Sequence, residues 1–163
     1  MFLQGIEWLP IPLAQRREVL GIIERPESFA QIGKLAIEIA ARLPGPLSIV
    51  IGPITSGTDR SIEQALATFN RTITWAESWS RAQDCVLFDQ MPLEGVINQC
   101  RRVHWPFEDY CWPIILDIYL PLFEAFIFKR HARIPGYDNS KGASFENYTL
   151  MRLGSEPTDT PTV

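Results

Sequence analysis

Leu47-Ser48-Ile49-Val50-Ile51 is a short, apolar, β-branched run of the kind expected of a strand buried within a parallel sheet. It passes directly into Gly52-Pro53-Ile54-Thr55-Ser56-Gly57-Thr58-Asp59-Arg60-Ser61. Beyond that loop, Ile62, Ala65, Leu66, Phe69, Ile73, Ala76 and Trp79 trace one face of a helix, and Ser61 with Gln64 reads as a capping box at its start. The order strand, glycine-bounded loop, helix commits this part of the chain to an α/β architecture.

Phosphate-binding loops occur at that point in such an order, and the glycine spacing mimics a P-loop. The mimicry stops at Thr58 and Asp59, which stand where a P-loop needs Lys and Ser or Thr. Tight triphosphate binding is therefore not expected. What remains is a loop whose backbone N–H groups, with the Thr55 and Ser56 hydroxyls, could hold one phosphate or a sugar hydroxyl. An ordinary turn between strand and helix fits the same residues.

A second strand is predicted at Cys85-Val86-Leu87-Phe88, ending at Asp89-Gln90-Met91-Pro92. In an open parallel sheet, ligands sit beyond the carboxyl ends of the strands, so Asp89, Gln90 and Met91 fall on the functional edge. Residues 93–112 carry Trp105, Phe107, Tyr110 and Trp112, which could wall a pocket for a flat base or simply fill a core. A buried helix is predicted over 113–129, with Asp117 and Glu124 seven residues apart and so roughly on one side. Each could reach a pocket or serve as a rim charge. His131-Ala132-Arg133-Ile134 is the next predicted strand.

That strand delivers Pro135-Gly136-Tyr137-Asp138-Asn139-Ser140-Lys141-Gly142-Ala143-Ser144-Phe145-Glu146. Pro135-Gly136 punctuates the apolar run, and Asp138, Asn139 and Ser140 are residue types that cap a helix. With Ser140 as the cap, Gly142, Ala143 and Glu146 share a face. Two small residues then leave a hollow beneath a carboxylate, and the first-turn N–H groups with the Ser140 hydroxyl can meet an anion. A solvated helix glutamate is the plain alternative for Glu146.

The remaining features bound the function. One domain of 163 residues can bury a sizeable core without staples. A net charge of −4, a pI near 5.2 and no Lys or Arg cluster beyond Arg101-Arg102 and Lys129-Arg130 argue against a nucleic-acid polymer as partner. Three cysteines, Cys85, Cys100 and Cys111, show no C-x-x-C spacing, and neither His104 nor His131 lies in a metal-ligand spacing. No disulfide framework, metal or cofactor is therefore expected, and a reducing, cytoplasmic setting fits best. Residues 113–128, the most apolar stretch, are shorter than the roughly 20 residues of a membrane span and contain Asp117, Pro121 and Glu124. No signal peptide is expected either, because Glu7 and Pro10 interrupt the apolar character at the start.

Residues 1–46 read as an N-terminal helical arm with helices near 13–24 and 27–43, the second marked by Phe29, Ile32, Leu35, Ala36, Ile39 and Leu43. Together with the aromatic and aliphatic residues of 110–128, the arm offers more apolar surface than a small domain buries. A homo-oligomer is expected on that ground. Residues 155–163, Ser155-Glu156-Pro157-Thr158-Asp159-Thr160-Pro161-Thr162-Val163, lack the apolar content of a core strand and read as a disordered tail.

The glycine loop and the Pro135–Glu146 turn together resemble the nucleoside 2-deoxyribosyltransferase-like superfamily, which includes 2'-deoxynucleoside 5'-phosphate N-hydrolases and carries a P-G-[WY]-x-x-S-x-G-A-x-x-E turn. The resemblance spans residues 47–154. It implies a flavodoxin-like αβα sandwich with a five-stranded parallel sheet, which the polar tail reduces to four strands unless the N-terminal arm supplies one, and pockets completed across a dimer. It also implies a small-molecule nucleoside or nucleotide as ligand. Glu146 occupies the position of the nucleophile that attacks C1' of the sugar, Ser140 that of a phosphate-contacting serine, and Gly52, Pro53, Ile54, Thr55, Ser56 and Gly57 that of the loop cradling the sugar or its 5'-phosphate. The family's aspartate falls at Leu122, with Asp117 and Glu124 the nearest acids. Asp89, Asp117 and Asp138 are therefore the candidates to orient Glu146 or protonate the leaving base. A nucleotide-binding or sensing module that has lost the chemistry is the alternative function.

Overall fold

The computed structural model describes residues 28–53, 62–107, 109–126 and 128–161. These fall into two compact units. One gathers the chain before Pro44 with Asp89–Leu122, and the other joins Pro44–Phe88 to the chain from Phe123 onward. Residues 89–122 thus group with the described part of the N-terminal segment.

The second unit holds the sheet. Its strands are β1 (Leu47–Ile51), β2 (Val86–Phe88), β3 (Phe128–Arg133) and β4 (Glu156–Asp159), all parallel in the order β2-β1-β3-β4. This is the α/β, flavodoxin-like arrangement expected, with four strands among the described residues. Every residue of β1 is buried, as its lack of alternation predicts. Its one polar member, Ser48, is satisfied by the Ser80 hydroxyl at 2.6 Å. Helix α2 (Ile62–Ala82) buries Phe69, Ile73 and Ala76 on the predicted face. Phe88 and Phe123 both meet the ring of Phe128 edge-on in the core.

Two sequence expectations are corrected here. Strand β3 begins at Phe128, three residues before the expected His131, because Phe128 is a buried apolar residue that pairs with Leu47. The expected tail contains β4, which pairs residue for residue with β3: Glu156 opposite Arg130 and Asp159 opposite Arg133. Polar composition hid this strand, since three of its four residues are exposed and its register is set by ion pairs in place of apolar burial.

In the first unit, α1 (Phe29–Ala40) is capped by Ser28, whose hydroxyl accepts from the Gln31 N–H at 3.2 Å. It buries Phe29, Ile32, Gly33, Leu35, Ala36, Ile39 and Ala40. Helix α3 (Met91–His104) buries Leu93, Glu94, Val96, Ile97 and Cys100. The helix predicted over 113–129 is shorter and of two kinds: a π-helical stretch, Ile114–Tyr119, followed by α4 (Leu120–Ala125). Pro121 gives a physical reason for the wide turn. Without an N–H it cannot bond the carbonyl four residues back, that of Asp117, and one residue earlier the Leu120 N–H reaches five residues back to Ile115. Gly33 of α1 lies so close to the Asp117 carbonyl oxygen that a Cβ would collide with it.

The predicted helix over 13–24 and residues Ile54, Thr55, Ser56, Gly57, Thr58, Asp59, Arg60 and Ser61 lie outside the described residues.

Candidate functional site

The chain runs from β1 to β2 on one side of the sheet and returns to β3 on the other. The switch in direction therefore falls between β1 and β3, and a crevice opens at such a point beyond the carboxyl ends of the strands. Both motifs singled out in the sequence emerge there. Ile51 at the end of β1 pairs with Arg133 at the end of β3, and the Ile134 N–H donates to the Ile51 carbonyl at 2.9 Å. Gly52 follows at once. A Cβ on Gly52 would approach the Ile134 side chain to 2.7 Å, so the two chains draw together only because this position is a glycine.

From Ile134 the chain turns through Pro135 and Gly136, whose φ of 87° is the left-handed conformation that glycine adopts without strain. A single 3₁₀ turn, Tyr137–Asn139, leads to Ser140. Helix α5 (Lys141–Arg152) starts where the sequence predicts, with the Ser140 hydroxyl accepting from the Ala143 N–H at 3.4 Å. The Ser144 hydroxyl reaches back to the Tyr137 and Asp138 carbonyls at 3.3 and 3.1 Å, tying the turn to the first turn of α5. Gly142, Ala143 and Glu146 are all buried, so the shared face is the inner one and Glu146 is not a solvated helix glutamate. Helix α5 packs against β1, β3 and β4.

Of the residues predicted for the site, Gly52, Pro53, Asp138, Ser140, Gly142 and Glu146 thus belong to one unit and one edge of its sheet. Asp138 is exposed on the 3₁₀ turn. Ile54, Thr55, Ser56 and Gly57 are outside the described residues. Asp89, Gln90, Met91 and Asp117 belong to the other unit. There, Asp89 Oδ1 accepts from the Met91 N–H at 2.9 Å, a local turn that leads into α3. Gln90 is buried, and the Asp117 side chain is exposed while its carbonyl faces Gly33.

Sequence reasoning missed two groups. His131 is fully buried on β3, with Nδ1 2.8 Å from the Ser155 hydroxyl and Nε2 3.0 Å from Asn147 Oδ1. With Oδ1 as the acceptor, Nε2 carries the proton and Nδ1 accepts from Ser155. Burial holds the imidazole below its ordinary pKa, with the Asn147 hydrogen bond opposing and Arg133 reinforcing the shift. It pins β3 to α5 and to the approach to β4. In the other unit, Glu94 is buried on α3. Desolvation pushes its carboxyl up to about 7, against a lowering hydrogen bond from Tyr119 of the π-helical stretch. Its signal in the sequence is its place inside the Leu93, Val96, Ile97, Cys100 stripe.

Burial also raises the thiols of Cys85, Cys100 and Cys111. Among the described residues, no three His, Cys, Asp or Glu side chains converge as metal ligands, and no helix is long and apolar enough to cross a membrane.

No family model, curated protein or solved structure matches this chain.

Proposed function

We propose that the chain cleaves or transfers the N-glycosidic bond of a (deoxy)nucleoside or nucleoside 5'-monophosphate, with Glu146 as the nucleophile. One observation carries the reading: a buried carboxylate stands on the inner face of α5, less than two turns past a serine cap, beside the switch point of a parallel sheet. A carboxylate oxygen of Glu146 bonds to C1' of the sugar as the C1'–N bond breaks, and the departing base takes a proton from an acid. Water or a second base then attacks C1' and restores the carboxylate. Of the three candidate acids, Asp138 is the one carried on the turn that leads into α5. Ser140, the first-turn N–H groups of α5 and the Gly52-Pro53 loop would hold the 5'-phosphate or sugar. This is the chemistry of the superfamily that the two motifs resemble.

The exposure of Asp138 favours a second reading, a nucleotide-sensing module that binds without reacting. Incubation with a panel of deoxynucleosides and their monophosphates, followed by assay of free base, tests the first. A panel member that raises the melting temperature and is recovered intact supports the second. Glu146→Gln keeps the shape of the side chain. It should cut base release by orders of magnitude while the melting temperature holds or rises. Unchanged release from this variant would sink the nucleophile assignment.

We further propose a cytoplasmic homo-oligomer. Val103, Phe107, Trp112 and Leu116 of the first unit are exposed apolar side chains that such an assembly could cover. Light scattering that returns one chain's 18.6 kDa at micromolar concentration overturns this.

A further inference from the structure

Arg133 stands at the last position of β3, where the strand gives way to the turn that opens α5, and its guanidinium is engaged from both directions. Nε and one terminal nitrogen each lie 2.8 Å from Asp159 Oδ1 of β4. The other terminal nitrogen donates to the Tyr137 hydroxyl at 3.2 Å, and the guanidinium carbon sits 5.0 Å from the centre of that ring. A planar cation with five donors can serve a carboxylate, a phenol oxygen and a ring face together; a lysine cannot. The Thr160 N–H donates to the Arg133 carbonyl at 3.0 Å, so the backbone beyond β4 closes on the same residue.

Tyr137 is the first residue of the 3₁₀ turn. Its carbonyl accepts from the Ser140 N–H at 3.1 Å and from the Ser144 hydroxyl at 3.3 Å. Any displacement of Tyr137 therefore shifts the cap of α5. At the other end of the relay, β4 is held by its backbone ladder to β3 and by α5, while its side chains are mostly exposed; Arg133–Asp159 and Arg130–Glu156, each at 2.8 Å, are the ion pairs that tie it to β3.

We propose that Asp159 is a positioning residue for the candidate site: by docking β4 onto Arg133 it fixes Tyr137, and with it the turn that sets Ser140 and the first turn of α5. The role assigned to that turn rests on the glycosidase reading, but the mechanical coupling does not. Attachment of β4 thereby becomes a control on the site. Asp159 has an accessible carboxylate, so the coupling weakens with salt.

Native-state hydrogen exchange on the full chain tests it, with the Asn139 and Ser140 amides as reporters and the Val86 and Phe88 amides of β2, which face β1, as controls. Asp159→Asn and Tyr137→Phe should each speed reporter exchange by about two- to fivefold, the range that a partly exposed ion pair or hydrogen bond supports, and leave the controls unchanged. The double variant should exceed the larger single effect by little, because both substitutions cut one relay. Raising salt should reproduce the Asp159→Asn effect in the native protein and do nothing further in the variant. Reporter exchange unmoved by Asp159→Asn, effects that simply add, or equal acceleration of the controls would each overturn the proposal. Base release is measured in parallel. If the native protein releases no base from any nucleotide, the glycosidase reading falls, and the exchange pattern still decides the relay.

Discussion

Glu94→Gln should change the pH dependence of stability more than stability itself. Glu94 is a buried carboxyl whose folded value is about 7 against an ordinary 4.5, with desolvation the main cause and the Tyr119 hydrogen bond only partly opposing it. The folded state therefore holds this proton more tightly than the unfolded chain. Its stabilising contribution is full below the unfolded value and is lost as pH rises through the folded one. The difference between 4.5 and about 7 corresponds to roughly 3 kcal/mol. Of this, about 2–3 kcal/mol is lost between about pH 5 and about pH 8, since some of the unfolded population is already ionised at the lower pH. Gln is neutral throughout and can still accept from the Tyr119 hydroxyl. Urea unfolding of both proteins across that range, followed by tryptophan fluorescence and far-UV circular dichroism, gives the difference directly. Contributions from His131 and the surface carboxylates occur in both proteins and cancel. Native stability should fall relative to the variant by about 2–3 kcal/mol on going to the higher pH. Parallel curves, within about 0.5 kcal/mol, would show that Glu94 titrates as a solvated carboxylate and that its burial is not as described.

Gly33→Ala would drive a methyl group into the Asp117 carbonyl and the backbone of Ile118, neither of which is a flexible side-chain end. A net loss of about 1–3 kcal/mol in thermal unfolding is expected despite alanine's better helix propensity; a stabilised variant would refute the close approach. His131→Phe leaves Ser155 and Asn147 without their ring partners and should cost about 1–3 kcal/mol at neutral pH. Because burial lowers the folded pKa of His131, its neutral form stabilises the fold above the ordinary 6.5, and that contribution is lost as pH falls through the window below it. The variant should lack this acid-side loss in a pH series of melting temperatures. Ser140→Ala removes the hydroxyl that accepts from Ala143 and should lower stability by about 0.5–2 kcal/mol in urea unfolding; no change would mean that this cap contributes nothing.

Local chemistry was legible wherever a residue type has one conformational use. The β-branched run of β1, the helical stripes of α1 and α2, and the Pro-Gly turn into Ser140 all stand where periodicity and capping place them. The burial of Gly142, Ala143 and Glu146 also follows from spacing alone once the cap is fixed. What could not be read depends on partners distant in sequence. The π-helical turn at Asp117 arises from Pro121 within a stretch that otherwise scores as plain helix. The pairing of β4 is written in Arg130 and Arg133, more than twenty residues earlier, so its own four polar residues give no sign of it. Glu94 and His131 look like surface residues by type, and only the packing around them makes them buried titratable groups. Likewise Asp89 and Gln90 are legible as a strand end and Asp117 as one side of a helix, but neither pattern tells which unit holds them.

Strand β4 also decides where the sheet stops. A parallel sheet exposes a row of N–H and C=O groups at each edge, and an open row is a template on which another chain can polymerise. At the β4 side that row includes Pro157, which has no N–H to offer, and is flanked by the carboxylates of Glu156 and Asp159. An incoming strand meets a gap in the ladder there. The polarity that disguised β4 in the sequence thus leaves, among the described residues, an edge whose ladder is interrupted at Pro157.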